Sequence, residues 1–81
     1  MGMQNVILKR PLRVFKQIGT GSALYKTGEV IPVGATIQVG QKPQSMVFDH
    51  RYQNALVIIW QGAKDSSNRF VLDEEYNRAM S

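Results

Sequence analysis

The sequence predicts a mainly β domain with five or six short strands and a short C-terminal helix, arranged as a small barrel or a strongly bent antiparallel sheet. The chain has 81 residues, the size of one domain, which predicts a single domain over residues 1–81. Its apolar residues fall in short runs rich in Val and Ile, separated by single Gly, Pro and Ser residues, as in compact all-β domains. A β-sandwich usually needs about 100 residues, so the smaller architectures are favoured.

Residues 6–15 predict one long strand or two short ones. Alternate residues of this segment are apolar and the other parity is mostly polar, which is typical of a strand with one buried face. The buried parity holds Val6, Leu8, Leu12 and Val14. Pro11 has no N–H to donate to a neighbouring strand, so it predicts a sheet edge or a bulge, with a bend near Arg10.

Turn chemistry separates the next predicted strands. The Gly-Thr-Gly-Ser stretch at 19–22 predicts a turn, residues 23–26 a short strand, and the Thr-Gly-Glu stretch at 27–29 a second turn. Residues 30–34 are apolar but contain Pro and Gly, and predict a bent connection that places side chains on the core. The chain resumes as a strand at 36–39, whose isoleucine and valine should face inward.

The second half predicts a hairpin, a last strand and a helix. Residues 46–48 and 55–61 are β-rich runs, and the polar residues 49–54 between them predict a hairpin with a wide tip. Residues 69–72 predict a short strand. Asp73 is a typical N-cap, followed by two glutamates that suit the positive end of the helix dipole. The predicted apolar stripe of the final helix consists of Tyr76, Ala79 and Met80.

The order of these elements resembles an SH3-type small barrel over the whole chain. A turn-rich first half is followed by a tight later hairpin and a last short strand. The resemblance implies a fold and no site residues, because no family motif matches position by position. The acidic and aromatic ligand groove of signalling SH3 domains is missing, and so is a ribosomal-type basic and glycine signature.

Composition limits the classes of protein that fit. Hydrophobic residues at 43% and charged residues at 20% are typical of a globular chain. The absence of cysteine excludes disulfides, thiolate zinc sites and cysteine nucleophiles. The longest apolar run is six residues, at 55–60, whereas a membrane helix needs about 20, and the N-terminus lacks a signal-peptide core of about 7–15 apolar residues. We therefore predict a cytoplasmic protein without a membrane partner.

No residue pattern predicts an enzyme. His50 is the only histidine, so a zinc site of the usual kind lacks its ligands. Asp49, His50 and Tyr52 share the predicted hairpin tip, but neighbouring residues point apart and no hydroxyl can be assigned as their nucleophile. The glycines at 19–22 do not open a helix, as a phosphate-binding loop would. We expect no catalytic residue, no metal and no cofactor.

The charge distribution suggests one kind of ligand. Residues 1–48 hold six basic and one acidic residue, a balance of +5, and residues 49–81 hold four basic and five acidic residues, a balance of −1. In an extended strand Lys9 and Arg13 would share a face, about 13 Å apart. Such a basic stripe can follow a nucleic-acid backbone, or can simply be solvated. The candidate nucleic-acid residues are Lys9, Arg10, Arg13, Lys16 and Lys26, with Phe15 or Tyr25 as a stacking platform.

The run at 55–61 suggests another kind of partner. Leu56, Ile58 and Trp60 share one face of this strand, while Val57 and Ile59 share the other. The outward pair needs a cover, which the terminal helix, a long loop or another subunit can supply. The candidate interface residues are Val57, Ile59, Tyr76 and Met80.

These patterns predict a non-enzymatic binding module that acts by protein–protein recognition, with a second copy of the chain as one candidate partner. The alternative is a nucleic-acid-binding domain that uses the basic surface of the N-terminal half. The two hypotheses differ in whether the apolar strand at 55–61 or the basic residues of the N-terminal half form the binding surface.

Overall fold

The structure, a computed structural model, describes residues 3–19, 21, 23–43, 46–65 and 67–81. Two residues of the predicted turn at 19–22, Thr20 and Ser22, lie outside the described residues. The strands are β1 Gln4–Ile7, β2 Leu12–Gln17, β3 Leu24–Ile31, β4 Thr36–Gln41, β5 Leu56–Ile59 and β6 Arg69–Val71. A 3₁₀ helix spans His50–Tyr52, and helix α1 spans Asp73–Ala79.

All six strands belong to one antiparallel sheet with the order β1-β4-β5-β6-β2-β3. The mainly β prediction with a short C-terminal helix is confirmed. The sheet is not closed into a barrel, so the bent sheet is the correct one of the two predicted architectures. The SH3-type arrangement is not confirmed.

The N-terminal segment forms two strands, β1 and β2, with a bend at Lys9 and Arg10. The bend lies just before Pro11, where the missing N–H interrupts strand pairing. Backbone hydrogen bonds hold the connection in place: the Leu8 N–H donates to the Ala35 carbonyl at 3.1 Å, and the Lys9 N–H donates to the Ala79 carbonyl at 2.8 Å. The connection between β1 and β2 is therefore attached to both the turn before β4 and the helix.

The predicted turn at 27–29 is wrong, because these residues form a bulge inside β3. Arg13 pairs with Val30 but Phe15 pairs with Lys26, so β3 carries two more residues than β2 over this stretch. Gly28 has a φ of 85°, which a glycine adopts without strain. The Thr27 hydroxyl accepts the Glu29 N–H at 3.0 Å. The local bonds of a turn are present, but the chain continues in the same direction.

The predicted hairpin between 46–48 and 55–61 is also wrong. β5 pairs with β4 on one side and β6 on the other, so no free edge is left for residues 46–48. These residues instead lie in a non-strand segment that covers the outer side of the sheet. Their apolar alternation is real, since Phe48 is 5% exposed and Val47 is 77% exposed.

Two apolar clusters lie on opposite sides of the sheet. The inner cluster takes residues from all six strands, which means that the sheet curls around it; its members are Val6, Leu8, Leu12, Val14, Ile31, Ile37, Val39, Ile58, Val71 and Ala79. The outer cluster lies under the segment 46–55 and contains Phe15, Leu24, Phe48, Ala55 and Phe70. In the outer cluster the rings of Phe48 and Phe70 meet edge to face at 5.2 Å, a favourable aromatic geometry.

Helix α1 packs on the inner cluster through the predicted stripe. Ala79 is buried, and Tyr76 and Met80 are partly buried against the cluster. The N-cap is Leu72, which makes no side-chain cap bond, so the prediction of Asp73 as N-cap is wrong by one residue. Asp73 instead begins the acidic first turn, where negative charge still suits the helix dipole.

Candidate binding surfaces

The four predicted interface residues do not form one surface. Tyr76 and Met80 pack on the inner cluster, so they cover the Leu56 side of β5 and not the Val57 side. Val57 packs on the outer cluster, where the segment 46–55 acts as the long loop that sequence reasoning offered as one possible cover. Ile59 lies beyond this loop and is 53% exposed.

The exposed side of β1, β4 and β5 carries no charge. The three strands, Gln4–Ile7, Thr36–Gln41 and Leu56–Ile59, contain no Asp, Glu, Lys or Arg. Asn5 pairs with Gln38 and Gln38 pairs with Ile59, while Ile7 pairs with Thr36, so these side chains are neighbours on one face. We name this surface the charge-free face; it consists of the exposed residues Asn5, Ile7, Thr36, Gln38 and Ile59.

The charge-free face combines apolar area with hydrogen-bonding groups. Ile7 and Ile59 are 60% and 53% exposed, and amide or hydroxyl side chains lie between them. A depression of about 210 Å³ is lined by Asn5, Thr36, Ile37, Gln38, Ile59 and Gln61. A surface of this kind can bury isoleucine against a partner while its amides make hydrogen bonds at the rim.

A groove of about 770 Å³ lies where β4 ends and β5 begins. Val57 and Tyr76 both line it, so two of the predicted interface residues border the same groove, although they pack on opposite sides of the sheet. The other residues that line the groove are Met3, Gln4, Val39, Gly40, Gln41, Lys42, Pro43 and Leu56. The Lys42 ammonium donates to the Met46 carbonyl at 3.0 Å, which ties the groove to the covering segment.

The predicted basic stripe is not a single strand face. Lys9 lies in the bend between β1 and β2, whereas Arg13 lies within β2. Lys16 pairs with Tyr25, and Phe15 pairs with Lys26, so these residues alternate between the two sides of the sheet. Each side of the sheet therefore carries one basic and one aromatic residue of this set, Lys26 with Phe15 on one side and Lys16 with Tyr25 on the other.

Several members of the basic set already have partners. Arg13 forms an ion pair with Glu75, which raises the pKa of the guanidinium, and its charged group lies 5.4 Å from the centre of the Phe15 ring. The Lys16 ammonium lies 3.2 Å from the Asp65 carboxylate. Phe15 is only 4% exposed, whereas Tyr25 is 46% exposed, so Tyr25 alone of the two presents a ring to a stacking base.

Sequence reasoning missed one arginine that joins the basic set. A cleft of about 240 Å³ between residues 10–13 and helix α1 is lined by Arg10, Arg13 and Arg78, together with Glu75. Arg78 belongs to the last turn of α1 and lies 65 positions from Arg13 in the sequence. We name this site the arginine cleft. Only the bend before β2, which brings residues 8–11 against the helix, places these side chains together.

Arg69 is the centre of a buried ionic network that the sequence also did not reveal. Its side chain is 3% exposed. Nε and Nη2 donate to the two carboxylate oxygens of Glu29 at 2.9 and 3.2 Å. Nη1 donates to the carbonyls of Asp65 and Ser67 at 2.9 and 3.1 Å. A guanidinium with this many bonds is satisfied, so the network ties β6 to Glu29 of β3 and to the loop at Asp65 and Ser67.

The network changes the acidity of both of its carboxyl groups. Hydrogen bonds from Arg69 lower the pKa of Glu29. Hydrogen bonds from the Ser67 hydroxyl and N–H, with Lys16 adding to them, lower the pKa of Asp65. Glu29 in turn raises the pKa of Arg69. All of these shifts favour the charged forms, as expected for an ion-pair network.

The described residues give no support to a metal or membrane site. Within the described ranges, no three His, Asp or Glu side chains lie together in a way that could hold a metal ion. The ring Nδ1 of His50 lies 3.4 Å from the Gln53 amide nitrogen, in an exposed 3₁₀ turn. Helix α1, the one α-helix in the described part of the chain, has seven residues, far fewer than the roughly 20 of a membrane span.

No family model matches this chain, and no curated protein or solved structure matches it either.

Proposed function

We propose that this chain is a non-enzymatic binding module that recognises a protein partner through the charge-free face. The observation that carries the proposal is the pair of exposed isoleucines, Ile7 and Ile59, on three adjacent strands without a charged residue. The core of a protein interface is depleted of charge and enriched in apolar contact. All sixteen charged side chains of the protein lie outside these strands.

The chemistry of the face favours protein over nucleic acid as its ligand. A nucleic-acid backbone needs Lys or Arg to neutralise phosphates, and the charge-free face has none. Asn5, Thr36 and Gln38 can instead bond to backbone or amide groups of a partner, while the isoleucines supply the apolar contact. An extended or flat protein surface fits this combination.

The test compares the proteins that are captured by the wild type, by Ile59→Lys and by a matched control variant. Val33 is 59% exposed in the turn before β4 and is not one of the five residues of the face, so Val33→Lys adds the same charge at similar exposure outside it. Proteins captured by the immobilised wild type from a lysate of its source cells should be lost with Ile59→Lys and retained with Val33→Lys. Identical capture by wild type and Ile59→Lys would refute the proposal, provided that circular dichroism shows both folded.

A second candidate function, nucleic-acid binding, is favoured by one observation: the arginine cleft. Three arginines line it beside the exposed Lys9, and Arg13 alone of the four has an ion-pair partner within the described residues. If about three phosphates are neutralised on a duplex, affinity should fall about 40-fold between 50 and 200 mM salt. The set that would contact phosphate is Lys9, Arg10 and Arg78.

This alternative is tested by fluorescence anisotropy with a labelled duplex and a labelled single strand. Arg10→Ala and Arg78→Ala should each weaken binding and reduce the salt slope by about one. Arg51→Ala removes an exposed cation from the 3₁₀ turn and serves as the control. Absence of binding at low salt, or an equal loss of affinity with Arg51→Ala, would refute nucleic-acid binding through the arginine cleft.

A further inference from the structure

The arginine cleft carries an excess of positive charge. Its charged lining residues are Arg10, Arg13, Arg78 and Glu75, which gives three positive charges against one negative charge, a balance of +2. Within the described part of the chain, neither Arg10 nor Arg78 forms an ion pair, and both are exposed. Guanidiniums gathered in one cleft repel each other and attract an anion.

The end of helix α1 does not account for this charge. A cation in the last turn of a helix is usually stabilised by the free carbonyls there. In this helix those carbonyls have other donors. The Ala79 carbonyl accepts the Lys9 N–H at 2.8 Å, and the Ser81 hydroxyl donates to the carbonyls of Arg78 and Asn77 at 3.1 and 3.2 Å. The Arg78 guanidinium is therefore left to bind something outside its own helix.

The cleft is formed before any ligand arrives. The hydrogen bond between Lys9 and Ala79 joins its two walls, and the buried Leu12 and Ala79 belong to its lining. The Arg13 guanidinium is held by Glu75 and lies 5.4 Å from the centre of the Phe15 ring. A preformed site loses less conformational entropy when a ligand binds.

We propose that the arginine cleft binds the phosphate group of a phosphate monoester, either a free small molecule or a phosphorylated serine or threonine of another protein. Such a group carries a charge of about −1.5 to −2 at pH 7, which matches the balance of +2 in the cleft. Its three terminal oxygens can accept hydrogen bonds from guanidiniums on both walls, Arg10 and Arg13 on one side and Arg78 on the other. The cleft of about 240 Å³ is smaller than the roughly 300–1,000 Å³ of a pocket that encloses a whole small molecule. It therefore takes the charged group and leaves the rest of the ligand outside.

A carboxylate satisfies the cleft less well. It carries a single negative charge, and its two oxygens lie in one plane with the guanidinium that binds them. The cleft already contains such a pair, because Arg13 Nε donates to Glu75 Oε1 at 3.2 Å and Arg13 Nη2 donates to Glu75 Oε2. Arg10 and Arg78 remain for an anion with more charge and more oxygens.

A nucleic-acid backbone also fits less well than a phosphate monoester. Each of its phosphodiesters carries one charge, and a polymer needs a series of cations along its path. Arg10 and Arg78 instead meet in one small cleft, and Lys16 is paired with Asp65. The positions of the cations therefore favour one compact dianion over a chain of monoanions.

The inference goes beyond the proposed function and does not depend on it. None of the five residues of the charge-free face lines the arginine cleft. Loss of partner capture with Ile59→Lys would leave the phosphate site unaffected, and failure to bind phosphate would leave the charge-free face unaffected.

The experiment is a two-dimensional ¹H–¹⁵N NMR titration of the full chain at constant ionic strength. The probes are inorganic phosphate, N-acetyl-phosphoserine amide, dimethyl phosphate and acetate. The first two should shift the amides of residues 9–13 and 76–80, with dissociation constants on the order of millimolar. Dimethyl phosphate, which has the single charge of a nucleic-acid backbone unit, and acetate should bind at least about tenfold more weakly. Tighter binding of the phosphoserine probe than of inorganic phosphate identifies a phosphorylated protein as the source of the group, and equal binding identifies a free phosphate.

The pH dependence reports the charge that the cleft requires. The second pKa of a phosphate monoester is about 6, so its affinity should fall about tenfold between about pH 7.5 and pH 5. Sulfate keeps both charges over this range and should bind equally at both pH values. The only histidine, His50, lies in the 3₁₀ turn and outside the lining of the cleft. A parallel fall in the affinity for sulfate would contradict the requirement for a dianion.

Variants of the cleft give an independent readout. Arg10→Ala and Arg78→Ala should each weaken phosphate binding about tenfold or more, whereas Arg78→Lys keeps the charge and should lose about threefold. Arg51→Ala removes an exposed cation of the 3₁₀ turn and should bind as wild type does. Glu75→Gln removes the negative charge but keeps an oxygen that accepts from Arg13, so affinity should rise about threefold or more. A gain of this kind cannot come from a damaged fold.

Three results would overturn the proposal. The first is the absence of shifts at the cleft up to about 50 mM inorganic phosphate, well beyond millimolar affinity. The second is dimethyl phosphate binding as tightly as inorganic phosphate, which would assign the cleft to a nucleic-acid backbone. The third is a loss of affinity with Arg51→Ala equal to the loss with Arg10→Ala, which would show attraction to the net charge of the chain and no specific site.

Discussion

Replacing Arg69 with methionine should be among the most damaging substitutions outside the apolar clusters. Methionine keeps the length of the aliphatic stem but removes the guanidinium. The change leaves the Glu29 carboxylate, whose side chain is 17% exposed, without its bidentate partner. It also leaves the carbonyls of Asp65 and Ser67 without the donor that holds their loop against β6.

The expected cost follows from the burial of this pair. Removing one partner of a buried ion pair costs about 3–5 kcal/mol, and partial access of water to Glu29 places the expected value near the lower end, about 3 kcal/mol. A chain of 81 residues has an expected free energy of unfolding of about 4–12 kcal/mol. A loss of this size corresponds to a fall in Tm of about 12–24 °C.

Urea denaturation and thermal unfolding, both followed by circular dichroism, measure this effect. Lys64→Met is the matched control, since Lys64 is an exposed cation of the same loop and its loss should change the free energy of unfolding by less than about 0.5 kcal/mol. Adding Glu29→Gln to Arg69→Met removes the unpaired charge, so the double variant should be more stable than the sum of the single effects by about 1 kcal/mol or more. A stable Arg69→Met, or strictly additive effects, would refute the reasoning.

Acid should destabilise the fold through the same network. The folded-state pKa values of Glu29 and Asp65 are lowered. Their contribution to the free energy of unfolding is therefore complete above the ordinary carboxyl pKa of about 4 and is lost as the pH falls toward the folded-state values. The urea midpoints at pH 7 and pH 3 should differ less in Glu29→Gln than in wild type, because the variant lacks one of the two carboxyl groups. Phe48→Ala removes a buried ring from the outer cluster and should cost about 3 kcal/mol, measured by thermal unfolding. The neighbouring Val47→Ala, at a 77% exposed position, should have almost no effect, and similar losses for both variants would show that the segment 46–55 does not cover the sheet.

Local patterns were sufficient for much of the fold. The alternation of Ile37 and Val39 predicted the inward side of β4, and both residues are buried. Pro11 predicted the bend near Arg10, because its effect is local to the backbone, although the choice between one long strand and two short ones was left open. The stripe at Tyr76, Ala79 and Met80 predicted the packing face of the helix. Each of these predictions depends on side chains within one segment.

The errors arise where the partner of a segment decides its structure. Residues 27–29 have turn chemistry, yet they remain in β3 because β2 continues to pair on both sides of the bulge. Residues 46–48 have strand periodicity, yet both sides of β5 are occupied. Sequence periodicity reports which side chains want burial, and it does not report which strand edges are free.

The candidate binding residues were likewise predicted only where the signal lies within one segment of the sequence. Ile59 was found because an apolar residue on the exposed parity of a strand is visible in the sequence, and Arg10 because it belongs to a local basic run. Arg78 and Arg69 were missed, since their neighbours Arg13 and Glu29 are 65 and 40 positions away in the sequence. Proximity of this kind comes from tertiary packing: the bend before β2 brings Arg78 of the helix to Arg13, and the Arg69 side chain of β6 reaches Glu29 of β3.

Strand order also explains why the charge-free face is exposed. The segment 46–55 leads into β5, whose first residue, Leu56, pairs with the last residue of β4, Gln41. Its aromatic anchor, Phe48, packs on Phe70 and the rest of the outer cluster. The covering segment therefore lies over β6 and β2 and reaches Val57 but not Ile59. β1 and β4 lie on the other side of β5, beyond the reach of this cover. The exposed isoleucines are thus a consequence of where the covering segment is anchored, and the partner that we propose for this face would complete the burial of the outer side of the sheet.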